Sequence, residues 1–340
     1  MFRCKLLILL FACSSAQANI PQTWESTHFV WNFAMISSAD KGIVRNPQAY
    51  FASDPAFDKN AYTNLQSGDI VWVKCKFLPE FCAHVLPILE QPIVLLIADG
   101  DESFPSNCGK GFDVELLLNH KNIIHVFAQN NDYQGPNTKV SHLPIGTDFH
   151  TVAYKNKLGG WGERGSACQQ EAYLMNLLKN LKPTHQRKKL AFVDFQLADT
   201  MHGEFKRYLQ FGEDRKSIFK RLLPTGLIHY GSWMRRHALW ATKGEYAFSI
   251  SPHGNGLDCH RTWEDLILGC IVIVKTSPLD PLYEGLPVII VKDWDEVTPG
   301  NMDIWLAHYG DAFTNPHYRE KITNQYWLSK IRAKAQPYKK

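Results

Sequence analysis

Residues 93–98 read IVLLIA, six apolar side chains in a row. Successive side chains of a β-strand point to opposite faces, so a run without alternation demands cover on both. That requirement points to a parallel sheet lying between helices. Ile70–Val73, Ile123–Phe127 and Ser141–Ile145 repeat the strand signal, and Phe81–Leu89 and Val114–Leu118 carry helical spacing between them. A second series opens at Lys189–Asp194 (KLAFVD) and continues through Tyr246–Ser251, Cys270–Lys275 and Val288–Val291. Its expected helices are Glu171–Leu181, Gly203–Phe211 and Ser217–Leu223. Lys155–Gly165 (KNKLGGWGERG) separates the two series, and its glycines and charges read as an interdomain connection or a mobile loop.

This rhythm predicts an α/β fold, two Rossmann-like halves facing a cleft, over residues 19–154 and 166–310. A helical segment over 311–340 closes the chain, with Trp305, Tyr309, Tyr326, Trp327 and Leu328 as packing anchors near the end. A length of 340 residues suits two domains. With 37 basic and 33 acidic residues, and no basic run interleaved with aromatics, nucleic acid is not an expected partner.

The first 18 residues read as a signal peptide. Arg3 and Lys5 precede an apolar core from Leu6 to Cys13, and Ala16-Gln17-Ala18 supplies a small-x-small cleavage site. The core is about half the roughly 20 residues a bilayer-spanning helix needs, so no stable membrane span is expected. The chain is then exported, to the periplasm, the exterior or a secretory lumen. A lipoprotein signal ending at Cys13, which Phe11 fits poorly, and a short anchor are the alternatives. Cleavage leaves six cysteines. Cys75 with Cys82, or either with Cys108, is the expected disulfide, and Cys270 reads as a buried thiol. Without a CxxC pair, no structural zinc site is expected.

The densest motif is SPHGNGLDCHRTWEDLILGCIVIVK, Ser251 to Lys275. A strand ends at Pro252, and Gly254 and Gly256, flanking Asn255, let the backbone turn and approach a ligand without Cβ obstruction. Asp258 is the expected N-cap of the next helix. Trp263, Leu266 and Ile267 form its inward face, and Gly269 ends it. A helix N-terminus offers N–H groups and partial positive charge to an anion, and Arg261 adds a forked donor. His253 and His260 flank the same place, and Glu264 is spaced to accept from sugar hydroxyls. Arg261 and Glu264 could otherwise form no more than a solvated surface pair.

This segment resembles the signature of the exostosin-type glycosyltransferases of family 47, through Ser251, Gly254, Asp258, Arg261, Glu264, Gly269 and Cys270, with the match extending to Trp294. A fainter likeness runs through Asp99–Pro105 and Pro144–His150. The resemblance implies a GT-B fold with the acceptor on the first half and a nucleotide-sugar donor on the second. It also implies inverting, metal-independent transfer to a glycan or other hydroxyl acceptor, with Arg261 on the donor diphosphate and Glu264 on the ribose. The chain lacks the second transferase domain of animal exostosins, so polymerase activity is not implied.

Inverting transfer needs a base for the acceptor hydroxyl. Asp99-Gly100-Asp101-Glu102 follows the strand Ile93–Ile97, at the end where α/β sheets collect ligands. Asp101 is the candidate, with Asp99 or Glu102 as substitutes, although Asp and Gly also simply make turns. The same Asp-x-Asp could hold a divalent ion in a metal-dependent GT-A transferase, an alternative that leaves the later glycine motif without a role. His202-Gly203 with Lys206 and Arg207 is a further candidate donor contact, and Asp148 and His150 are placed at the cleft edge. Two other classes remain: a GT-B-like glycan-binding protein without catalysis, and a dinucleotide oxidoreductase. The second has Cys259 where its fingerprint needs glycine or alanine.

Overall fold

The computed structural model describes residues 27–42, 50–51, 56–155, 160–197 and 214–339. The leader, the helix expected over Gly203–Phe211 and the candidate contacts His202, Lys206 and Arg207 lie outside the described residues.

The first half is a four-stranded parallel sheet in the order β1 (Ile70–Val73), β2 (Ile93–Ile97), β3 (Ile123–Gln129), β4 (Val140–Leu143). The unalternating run in β2 has the expected explanation. Ile93, Leu95 and Ile97 pack into one core with Leu78, Phe81 and Leu117 of the crossover helices. Val94, Leu96 and Ala98 pack into another, which includes Trp327 and Ile331. These last two belong to the helix Asn324–Ala335, which lies against β1, β2 and β3. The end of the chain therefore covers the sheet formed near its beginning.

The second half is a five-stranded parallel sheet in the order β6 (Ile228–Tyr230), β5 (Lys188–Val193), β7 (Tyr246–Ile250), β8 (Ile271–Lys275), β9 (Val288–Val291). The chain moves outward from β5 to β6, then returns to lay β7 on the other flank of β5. Strand order thus reverses between β5 and β7, and open α/β sheets collect ligands beyond the carboxyl ends of strands at such a point. The helices Arg215–Leu222, Arg236–Lys243 and His260–Ile267 make the first three crossovers. The two-sheet α/β architecture agrees with the expected one.

Several local expectations shift. The helix expected over Phe81–Leu89 runs from Leu78 to His84, with Pro79 in its first turn, and a separate 3-10 turn covers Leu86–Ile88. Proline is suited to a first helical turn because its missing N–H has no partner there. The helix expected at Glu171–Leu181 is Ala167–Leu178, opened by a capping box of Ser166 and Gln169. The disulfide joins Cys75 and Cys108, whose Cα atoms are 4.7 Å apart, and Cys82 is a free thiol pushed up to about 11 by burial. Cys270 is buried as expected, its thiol pushed up to about 12. Among the described residues, no helix is long and apolar enough to cross a membrane.

Candidate functional site

The loop after β7 folds back on itself before the next helix begins. The Gly254 N–H donates to the Gly256 carbonyl at 3.0 Å, and His253 Nδ1 pairs with the Leu257 carbonyl at 2.8 Å. Burial pushes the His253 imidazole down, toward the neutral form. Both glycines have close side-chain neighbours. A Cβ on Gly254 would stand 3.0 Å from the Arg215 guanidinium, and one on Gly256 would stand 2.8 Å from the Asn130 amide. Asn255 between them is half-buried.

Asp258 is not the N-cap. Cys259 occupies that position, and no side chain caps the helix His260–Ile267. The Asp258 carboxylate accepts instead from the Trp263 indole at 2.8 Å and from the Cys259 N–H. It also accepts from the Ile145 N–H, across in the first half, at 2.8 Å. Burial pushes it up to about 6. The rest of the helix follows the sequence reading: Trp263, Leu266 and Ile267 are buried, and Gly269 stands past the end with φ +79°.

Two more contacts join the halves here, Asn130 with Asp258 and His260 with Gly146. Asn130, at the end of β3, accepts from the Asp258 N–H at 2.8 Å and donates to the Gly100 carbonyl at 3.1 Å. Gln129 donates to the same carbonyl at 2.9 Å, and His260 Nδ1 donates to the Gly146 carbonyl at 2.6 Å. The Asp99–Glu102 loop is thereby held near the glycine loop, and Asp101 is near enough to act electrostatically on the Cys259 thiol.

Cationic groups gather at the carboxyl ends of β5 and β7. Arg261 donates to the Pro252 carbonyl at 3.0 Å and lies 3.6 Å from Asp194. Arg215 donates to the His253 carbonyl at 3.0 Å. Both guanidinium groups sit over the Phe195 ring, at 5.7 and 5.9 Å. Beneath them Lys243, with a side chain only 1% exposed, bridges Asp194 at 2.7 Å and Asp265 at 2.6 Å. Ser249 also donates to Asp265. Burial pushes Asp194 up, but Lys243 and Arg261 outweigh it and hold the carboxyl below its usual range. Burial raises Asp265 to about 6. Lys243 is held above the ordinary lysine range because the two aspartates outweigh its own desolvation.

Arg261 and Glu264 do not pair with each other. Glu264 is buried in an ion pair with Arg236, accepts from the Trp240 indole at 3.0 Å, and receives the Asp148 N–H at 3.3 Å. Asp148 lies 3.0 Å from His150 Nδ1 and 3.8 Å from Arg236. Burial pushes the Asp148 carboxyl up, but His150, Arg236 and His260 hold it well below the usual range. Asp99 has φ +66° and pairs with Lys74 at 3.0 Å, while Asp101 is exposed and Glu102 half-buried. Among the described residues, neither Asp99 nor Asp101 belongs to a cluster with metal-ligand spacing.

The fold thus brings His253, Gly254, Asn255, Gly256, His260, Arg261 and Asp101 to one seam, and turns Glu264 and Asp99 toward protein partners. Sequence reasoning missed Arg215, Asn130, Arg236 and Lys243. Arg215 had a signal, since it opens a helix capped by Asp214. Lys243 had none, because a lysine ending an amphipathic helix reads as solvated.

No protein-family model and no curated protein matches the chain. Solved structures with a similar course include an α,α-trehalose-phosphate synthase (UDP-forming) from Burkholderia vietnamiensis. It is 13% identical, covers 86% of this chain and 83% of its own, and has a TM-score of 0.40. A structure described as trehalose-6-phosphate from E. coli bound with UDP-2-fluoro glucose is 13% identical over 80% and 72% of the two chains, with a TM-score of 0.36. The pneumococcal O-GlcNAc transferase GtfA, in complex with UDP and GlcNAc, is 11% identical over 81% and 55%, with a TM-score of 0.30. Likeness at this distance carries no functional argument. The fold itself is two parallel, helix-covered sheets, by the strand order and pairing of this chain.

Proposed function

We propose that the chain is a glycosyltransferase that moves a sugar from a nucleotide-sugar donor to a glycan or other hydroxyl acceptor. The supporting observation is the convergence of Arg261 and Arg215 on the glycine loop, beside an uncapped helix N-terminus, at the point where strand order reverses. Two guanidinium groups and a helix start suit a diphosphate, whose charge grows as the glycosidic bond breaks. In this reading the donor diphosphate needs no metal ion, transfer inverts the anomeric carbon, and the exostosin-type signature names the subtype. Asp101, from the opposite half, takes the acceptor proton. The first half carries the acceptor, and a cleaved leader over 1–18 sends the protein into the secretory route.

The test is a panel of nucleotide sugars assayed by calorimetry and by transfer to glycan acceptors, with and without chelator. One donor should bind, and Arg261→Ala should weaken it by roughly 10²-fold while the unfolding midpoint stays near wild type. Undiminished donor binding in that variant would sink the assignment.

One observation favours a second reading, a glycan-binding protein without transfer. The carboxylate expected on the ribose, Glu264, is engaged by Arg236 and Trp240. Glycan binding with no donor bound across the same panel would select it.

A further inference from the structure

We infer that Asp148, His150 and His260 form a seat for a first-row divalent transition ion, of the Zn2+ class, across the seam between the halves. Their ligand atoms all lie within 4.8 Å of one another, and each residue is partly shielded from solvent. His150 Nδ1 and Asp148 Oδ1 are 3.0 Å apart. Two donors bound at about 2.1 Å stand about 3.0 Å apart at right angles and about 3.4 Å apart at the tetrahedral angle, so a small opening of this pair would admit an ion.

The surroundings orient the donors. His260 donates its Nδ1 proton to the Gly146 carbonyl at 2.6 Å, which fixes the tautomer and leaves the lone pair on Nε2. Metal-binding imidazoles are commonly held this way. Asp148 divides its oxygens: Oδ1 faces His150 and accepts the Thr151 N–H at 2.9 Å, while Oδ2 faces Arg236. Arg236 opposes a cation, but it approaches the far oxygen and is itself paired with Glu264.

Two imidazoles and one carboxylate, with no thiolate, suit Zn2+, Co2+, Mn2+ or Ni2+ better than the all-oxygen preferences of Mg2+ or Ca2+. Three protein donors leave at least one position for water or a ligand. Asp148 and His150 follow β4, whereas His260 begins the helix after β7, so the ion would clamp one half to the other. Arg261 points away, toward Pro252 and Asp194. The seat is therefore on the opposite flank of the helix start from the proposed diphosphate grip, and it stands whether or not the chain transfers sugars.

The experiment uses the purified chain without a polyhistidine tag, stripped with chelator. Co2+ is titrated by visible absorption and Zn2+ by calorimetry and thermal unfolding. About one equivalent should bind, with a dissociation constant below about 10 µM. His150→Gln and His260→Gln should each weaken it at least about 10-fold, and the double variant more, with circular dichroism confirming the fold. His308→Ala, on an exposed helix face, should bind like wild type. Zn2+ should raise the unfolding midpoint of wild type and leave that of the double variant unchanged. No binding tighter than about 1 mM, or equal binding by wild type and the folded double variant, would overturn the assignment.

Discussion

The two sheets are built from the same kind of strand but differ in order. The first runs β1-β2-β3-β4 and steps one way throughout, whereas the second runs β6-β5-β7-β8-β9 and reverses at β5. Among the described residues only the second sheet has a topological switch point, and Arg261, Arg215 and the Lys243 cluster lie at its carboxyl end. The first contributes at its carboxyl edge a short acidic loop, pinned through Gly100 to Gln129 and Asn130. One half supplies a charged cluster underpinned by buried ion pairs, and the other supplies a facing loop. An α/β half gains a site of its own where its strand order turns back.

The sharpest way to break this contrast is Lys243→Ala. It leaves Asp265 without its cation and Asp194 with Arg261 alone, and a broken buried pair costs about 3–5 kcal/mol. Lys74→Ala, at the more exposed Lys74–Asp99 pair of the first sheet, should cost clearly less. Equal shifts in denaturant midpoint for the two variants would erase the difference between the halves.

Asp101→Asn comes next. As the proposed base it should lose roughly 10²-fold or more in turnover, with donor affinity unchanged. Activity at the wild-type level in this variant would pass the role to Glu102 or to another group.

Asp258 gives a pH signature. Its folded pKa, about 6, is raised by burial above the unfolded value near 3.8. The stability it contributes is therefore complete below about pH 4 and is lost as pH rises through about 6. The stability difference between wild type and Asp258→Asn should shrink between pH 4 and 7, by on the order of 2 kcal/mol. A difference independent of pH would show that the carboxylate stays charged throughout.

The smallest expected effect is that of Gly256→Ala, whose Cβ would meet the Asn130 amide at 2.8 Å. Displacing that amide should cost about 1–2 kcal/mol and loosen the link to Gly100. An unchanged unfolding midpoint would mean that the seam has slack there.

Much of the scaffold was legible because its signals are local. The unbroken run in β2 announced two covered faces, and Trp263, Leu266, Ile267 and Gly269 announced one buried helix face and its end. The site was legible in part. Arg261 and the glycine loop carry the spacing of an anion grip, yet Asp258 looked like a cap because aspartate before a helix usually is one. One of its partners, the Ile145 N–H, is 113 positions away, and nothing in the neighbouring residues encodes that distance. The partners of Glu264 were hidden for a related reason: a helical carboxylate reads as available until Arg236 and Trp240 fold against it.

The sequence by itself determined two parallel, helix-covered sheets and a glycine-turned loop leading into a helix, because side-chain alternation and backbone permissiveness act between near neighbours. Tertiary structure alone decided which charges meet. It set Arg215 beside Gly254, sank Lys243 between two aspartates, and brought Asp148 and His150 to His260. Those pairings depend on chain segments far apart in sequence reaching the same low-dielectric seam, where an unmatched charge is expensive and each must find its partner.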